Sequence, residues 1–277
     1  MPTQKLGLAT MSSSCGVDVI EQMRIMKNVG FNAFFTDWKP ERTEEIANEA
    51  ARIGLFQQSI HSPFSGNYRV RYLWEGGEAG DFVREALIEC VKDCARFDIP
   101  VMVIHPYIGF QEHTPTEIGL DNYARIIEVA NKLGVKLGFE NVEGEEYLAA
   151  LMERFWNEES VGFCLDTGHE MCYNRHKDML ALYGEKLCHT HFNDNLGVRG
   201  EEITFHDDLH LMPTDGIADW HEIMERIRKT GYDGILMSEL SYADTPGKNG
   251  IIHKYTELSM EEFMREAYEK IKTAISM

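Results

Sequence analysis

The sequence predicts a single (β/α)8 (TIM) barrel over residues 1–277. Short apolar strands alternate eight times with amphipathic helices, without a break in composition, which is the pattern of a parallel sheet wrapped by helices. Six of the strands stop on a histidine, aspartate or glutamate, and a barrel gathers the C-terminal ends of all its strands at one mouth. A doubly wound open sheet, the alternative, would concentrate ligands at one switch point instead. The length suits one large domain, and 43% hydrophobic with 26% charged residues supplies its core.

Taken in order, residues 5–9 read as the first strand and 17–28 as a helix that Gly30 stops. Residues 32–35 make the second strand, and 43–53 the second helix, with Thr43 as its cap and Gly54 as its end. The third strand, 57–61, finishes on Ser59-Ile60-His61. Residues 62–80 show no period and carry Asn67, Tyr68, Arg69, Arg71, Tyr72 and Trp74 among glycines, the make-up of a long binding loop. Helix three follows over 81–97, strand four over 101–105, and helix four over 120–133 with Gly134 closing it. Strand five (136–140), helix five (145–156) and strand six (161–166) lead to a short sixth helix, 178–183, that starts on Asp178. Strand seven covers 187–191, a polar loop 193–218, helix seven 219–230 and strand eight 234–238. Ser259, with Glu262 three residues on, forms a capping box for the last helix, 259–275.

Charge and cysteine usage narrow the function. With 27 basic and 46 acidic side chains the formal charge is -19. Nucleic-acid binding depends on neutralising phosphates, so this balance argues against a DNA or RNA substrate. The six cysteines show neither disulfide nor zinc-finger spacing and read as reduced, mostly buried thiols. No leader and no apolar run near ~18 residues is visible, so a soluble, cytoplasmic protein without a membrane partner is expected. There is no glycine-rich phosphate loop.

The chemistry lies at the strand ends. Glu140, Asp166, His191 and Glu239 come from strands five to eight and face one another across a barrel mouth. Two glutamates, an aspartate and an imidazole make a mixed oxygen and nitrogen site suited to Mn²⁺, Mg²⁺, Co²⁺, Fe²⁺ or Zn²⁺. The lack of thiolate ligands speaks against a closed structural zinc site. Trp38, Tyr68, Tyr72 and Trp74 are candidate walls for a sugar. His189 and His206 read as structural, and His113, His176, His221 and His253 as surface histidines.

The run His61-Ser62-Pro63, His105-Pro106, Glu140-Asn141, Asp166-Thr167-Gly168-His169, His191-Phe192-Asn193-Asp194 and Glu239 resembles the xylose isomerase-like barrel superfamily. That group contains sugar isomerases, ketose 3-epimerases and the endonuclease IV type of DNA-repair enzyme. The ending Gly216-Ile217-Ala218-Asp219-Trp220, then Gly231-Tyr232-Asp233-Gly234, resembles its loop-helix-strand close. The family's Gly-x-Gly reads Thr214-Asp215-Gly216 here.

Resemblance to the ketose epimerases implies that Glu140 and Glu239 both bind metal and flank the carbon that loses its proton. One would remove the proton and the other return it on the opposite face, through an enediolate held by the metal. His169, and Arg199 in the loop after strand seven, would contact sugar oxygens. Resemblance to endonuclease IV implies two further ions, one shared by His61, His105 and Glu140, the other held by His169, Asp208 and His210. A multi-zinc phosphodiesterase, a sugar lyase or dehydratase, and a sugar-binding barrel without catalysis therefore stay open beside the isomerase. The charge favours a small sugar or sugar phosphate as partner, and barrels of this kind often pair as homodimers or homotetramers.

Overall fold

The computed structural model describes residues 4–12, 15–110, 114–242, 255 and 257–277. Its strands are β1 (Leu6–Ala9), β2 (Ala33–Asp37), β3 (Phe56–His61), β4 (Val101–Ile104), β5 (Lys136–Glu140), β6 (Val161–Asp166), β7 (Leu187–His191) and β8 (Leu236–Ser238). They form one parallel sheet in the order β7-β6-β5-β4-β3-β2-β1-β8, a near-closed barrel surrounded by helices. The predicted fold class is the observed one.

The seam between β7 and β8 is joined through a side chain. Thr190 Oγ1 accepts a hydrogen bond from Met237 N at 2.9 Å and donates to Met237 O at 3.1 Å. Phe192 N donates to the same carbonyl at 2.8 Å, and Glu239 N donates to Phe192 O at 3.2 Å. A hydroxyl thus stands in for a ladder bond at the edge where the sheet must meet itself. Inside the barrel, glycines make room for larger neighbours. A Cβ on Gly7 would lie 2.1 Å from Met237 Sδ, and one on Gly162 would lie 2.4 Å from Cys188 Sγ.

The helices are α1 (Val19–Val29), α2 (Thr43–Ile53), α3 (Arg71–Glu75), α4 (Gly77–Arg96), α5 (Glu117–Leu133), α6 (Glu145–Phe155), α7 (Thr167–Cys172), α8 (Met179–Tyr183), α9 (Trp220–Thr230) and α10 (Met260–Ile275). Caps on Asp178 and Ser259 form as expected, the latter as a full capping box. Thr43 is not a cap. It is the first helical residue, and its hydroxyl donates to Lys39 O at 2.9 Å.

Residues 62–80 are not one loop. They contain α3 and the start of α4, held by tertiary bonds that a five-residue helix cannot show as a period. Trp74 Nε1 donates to Pro106 O at 2.8 Å, Asn122 Nδ2 to Leu73 O at 2.7 Å, and Thr116 Oγ1 to Trp74 O at 2.6 Å. Gly119 leaves the space, since a Cβ there would fall 1.9 Å from the Trp74 ring.

Among the described residues no helix is long and apolar enough to cross a membrane. All six cysteines are free, four of them buried. His176, His206 and His221 are exposed, whereas His113 and His253 lie outside the described residues.

Candidate metal centre

Glu140 closes β5 fully buried, with an imidazole on every side. Its Oε1 is 3.1 Å from His191 Nδ1 at the end of β7 and 3.2 Å from His169 Nδ1. Its Oε2 is 3.1 Å from His105 Nε2, just past β4, and 3.4 Å from His61 Nε2 at the end of β3. Glu239, just past β8, brings Oε2 to 3.1 Å from the same His191 Nδ1. Asp166 ends β6 and turns the chain into α7, its Oδ1 capping that helix by accepting from His169 N at 2.7 Å. Asp166 Oδ2 accepts from Asn193 Nδ2 at 2.8 Å. Asn141 holds the strand end from the other side, accepting from Asp166 N at 2.7 Å and donating to Asp166 O at 2.9 Å. These outer partners fix the carboxylate before any ligand arrives.

The loop after β7 supplies the remaining pair. Asp208 sits between two rings, 2.9 Å from His210 Nε2 and 3.5 Å from His169 Nε2. His210 Nδ1 donates to Glu239 O at 3.2 Å, tying the loop to the end of β8. In this loop Thr214 takes φ 76°, where a glycine would be unstrained. Gly216 is required at its place, because a Cβ would meet Asn195 O at 2.2 Å.

The donor set fits divalent ions. His61 Nδ1 donates to Ser62 O at 2.9 Å, which turns Nε2 toward Glu140 Oε2. Glu140 Oε2, His105 Nδ1 and His191 Nε2 are buried without a hydrogen-bond partner. Ligand atoms fall into overlapping groups, each within 4.8 Å: Glu140, Asp166, His191 and Glu239; His61, His105 and Glu140; Asp166, His169 and His210. One layer deeper, Cys164, His189 and His191 also meet, with His189 Nε2 3.3 Å from Ser59 Oγ.

Charges within the cluster shift one another strongly. Burial alone would push the Glu140 and Asp208 carboxyls up, but the imidazoles around them outweigh it and hold both well below the usual carboxylate range. For His210 burial works downward, and Asp208 outweighs it to bring the ring up to about 9. Burial holds His105 below the ordinary histidine value despite Glu140. Such a cluster concentrates negative charge that a divalent cation offsets.

The family profile described as "xylose isomerase-like TIM barrel" matches residues 10–266. The chain belongs to that family. It is 32% identical over 261 residues to an uncharacterized protein of Sinorhizobium fredii, covering 77% of this chain and 78% of the relative. Among solved structures it is similar to D-psicose 3-epimerase with D-tagatose from Clostridium cellulolyticum H10 (15% identity, TM-score 0.70, 98% and 99% covered). It is also similar to an IolI protein with a bound zinc atom (15% identity, TM-score 0.73, 98% of each chain covered). At these identities the two structures share the fold.

Above the centre of this xylose isomerase-like barrel lies a cavity of about 150 Å³. Its floor is His61, His105, His169, Asp208, His210 and Glu239, and its walls include Phe64, Glu143, Tyr173 and Phe205. Phe64 stacks on His105 at 4.4 Å, and Tyr173 lies tilted against His169 with ring centroids 4.8 Å apart. These aromatics are not the ones that the sequence suggested. Trp38 is tied to Asp93 through Nε1 at 2.8 Å, and Trp74 is buried on Tyr147. Tyr68 stacks on Phe82, and Tyr72 lies under the Arg71 guanidinium. Arg199 is paired with Asp207 and donates to His206 O, so neither it, Trp38 nor Tyr72 lines the cavity.

Glu143 is a residue that sequence reading missed. It follows Glu140 by three positions, and its Oε1 accepts from Gly109 N at 3.0 Å. Burial pushes its carboxyl up to about 7. The only sequence signal was an acidic residue immediately beyond a ligand-bearing strand end.

Proposed function

We propose that this protein is a divalent-metal-dependent isomerase or epimerase of a small carbohydrate. The observation that carries the reading is the placement of Glu140 and Glu239, from β5 and β8, each 3.1 Å from one atom, His191 Nδ1. Paired carboxylates at one centre are what proton removal and return at a carbon require. A divalent ion bound by Glu140, Asp166, His191 and Glu239 supplies the Lewis acid that stabilises the oxygen charge as the proton leaves. Glu239 borders the cavity and takes the proton from the carbon beside a carbonyl, while Glu140, beneath it, completes the acid–base pair. His169 lines the same cavity and holds a substrate oxygen. Phe64, Tyr173 and Phe205 limit the access of water and give the sugar apolar faces to lie against. The kinship in fold with a ketose 3-epimerase supports this choice of chemistry, and the free buried cysteines fit a cytoplasmic setting.

A second reading has its own support. The overlapping ligand groups could hold more than one ion, and clustered ions suit phosphate-ester hydrolysis. The charge of -19 favours the sugar reading, since a nucleic-acid enzyme must neutralise several phosphates beyond the scissile one. Solvent deuterium entering a sugar, set against metal-dependent cleavage of abasic-site DNA, separates the two.

A further inference from the structure

The cavity over the metal centre does not end at its aromatic wall. A groove of about 500 Å³ continues outward from Phe64, Ile108 and Phe205, which border both spaces. The inner cavity alone is smaller than the ~300–1,000 Å³ of ordinary ligand sites, and the groove brings the combined site into that range. Phe110 and Phe205 come from two different loops. Both are substantially exposed, and their rings meet with centroids 4.6 Å apart.

Two basic side chains belong to this groove. Arg69 and Arg71 line it. The Arg69 side chain is exposed and has no ion pair among the described residues. Arg71 lies over the Tyr72 ring at 5.3 Å, with its Nε a loose 3.7 Å from Glu75. In a chain of charge -19, whose inner site is built on Glu140, Asp166, Asp208, Glu239 and Glu143, the two guanidiniums lining the groove are set apart in sign. An anionic substituent would be repelled by the inner carboxylates and held by these arginines, which orients the sugar with its neutral end inward.

We infer that the groove is the subsite for an anionic oxygen group, phosphate or carboxylate, carried by the substrate away from its reacting carbons. This rests on the isomerase reading for the inner site, but it concerns binding alone. Titration calorimetry on Mn²⁺-loaded protein tests it with two matched pairs, D-fructose against D-fructose 6-phosphate and D-glucose against D-glucuronate. At least one anionic member should bind about tenfold or more tighter than its neutral partner, the scale of a charge-assisted contact. Whichever pair shows the gain identifies the anion. Arg69→Gln with Arg71→Gln should erase that gain while leaving the neutral affinity and the metal content unchanged, and high salt should shrink it. Equal affinities within both pairs, a gain that survives in the double variant, or no anion binding would each overturn the inference. A charge preference without any solvent exchange would sink the isomerase reading and leave this one standing. Exchange without a charge preference would do the reverse.

Discussion

The Nε2 atoms of His61 and His105 lie 3.2 Å apart, and both face Glu140 Oε2. With His61 Nδ1 held by Ser62 O, the two Nε2 atoms and the carboxylate converge on one point. We therefore expect the purified protein to bind more than one divalent ion per chain. Elemental analysis before and after loading with Zn²⁺ or Mn²⁺ reads this, and His61→Ala with His105→Ala should remove one ion and keep another. A single ion bound equally by wild type and double variant would show that these histidines serve hydrogen bonding instead.

The two glutamates should respond differently to amidation. Glu239 is partly exposed to the cavity, whereas Glu140 is sealed under four imidazoles. Glu239→Gln should keep the ion bound with Asp166 and His191 and lose roughly 10²–10⁴-fold in turnover, the usual contribution of a general acid or base. Glu140→Gln should lose turnover and also the ion at His61 and His105. Equal metal content and equal activity in both variants would dismiss the assigned roles.

Glu143 gives the stability a pH dependence of known sign. Burial raises its carboxyl to about 7 in the folded protein, whereas in the unfolded chain it ionises near ~4.3. The folded state thus holds a proton that the unfolded state releases, so its contribution is full below the lower value. It declines as pH rises through the window and is gone above the upper value. In metal-free protein, Glu143→Gln should show a smaller loss of urea midpoint between about pH 5 and about pH 8 than wild type. Parallel pH profiles would contradict the shift.

How much of this was readable from the sequence differs from residue to residue. Strands β5, β6 and β7 are legible to the residue, because each is a short run that stops on a ligand-type side chain and the fold places that stop at the mouth. Helix α7 was not, because the residues that form it, Thr167 to Cys172, are the ones the site reading had already claimed for chemistry. The sequence offers Trp38 and Trp74 as walls because an indole's hydrogen-bond partner, here Asp93 or Pro106, is distant in sequence. Phe64, Tyr173 and Phe205 went unnoticed for the same reason. Single aromatics in three separate loops share no spacing, and only the barrel's closure brings them to one cavity.

That closure depends on Thr190. Thr190→Val keeps the shape but removes the hydroxyl that accepts from Met237 N, whose carbonyl still has Phe192 N. An unpaired buried amide should cost about 1–3 kcal/mol, read as a lower urea midpoint at unchanged slope. A variant as stable as wild type would mean that packing and the backbone bonds of Phe192 hold the β7–β8 seam without the hydroxyl.

The carboxylates at this centre are proposed to move a proton on and off a sugar carbon. Incubating metal-loaded protein in D₂O with ketoses, aldoses and their phosphates, and following the sugars by NMR, tests it directly. The expected result is deuterium at a carbon next to a carbonyl, dependent on added metal and lost in Glu239→Gln. No deuterium in any sugar, together with metal-dependent cleavage of abasic-site DNA, would contradict the claim and assign the centre to phosphate-ester hydrolysis.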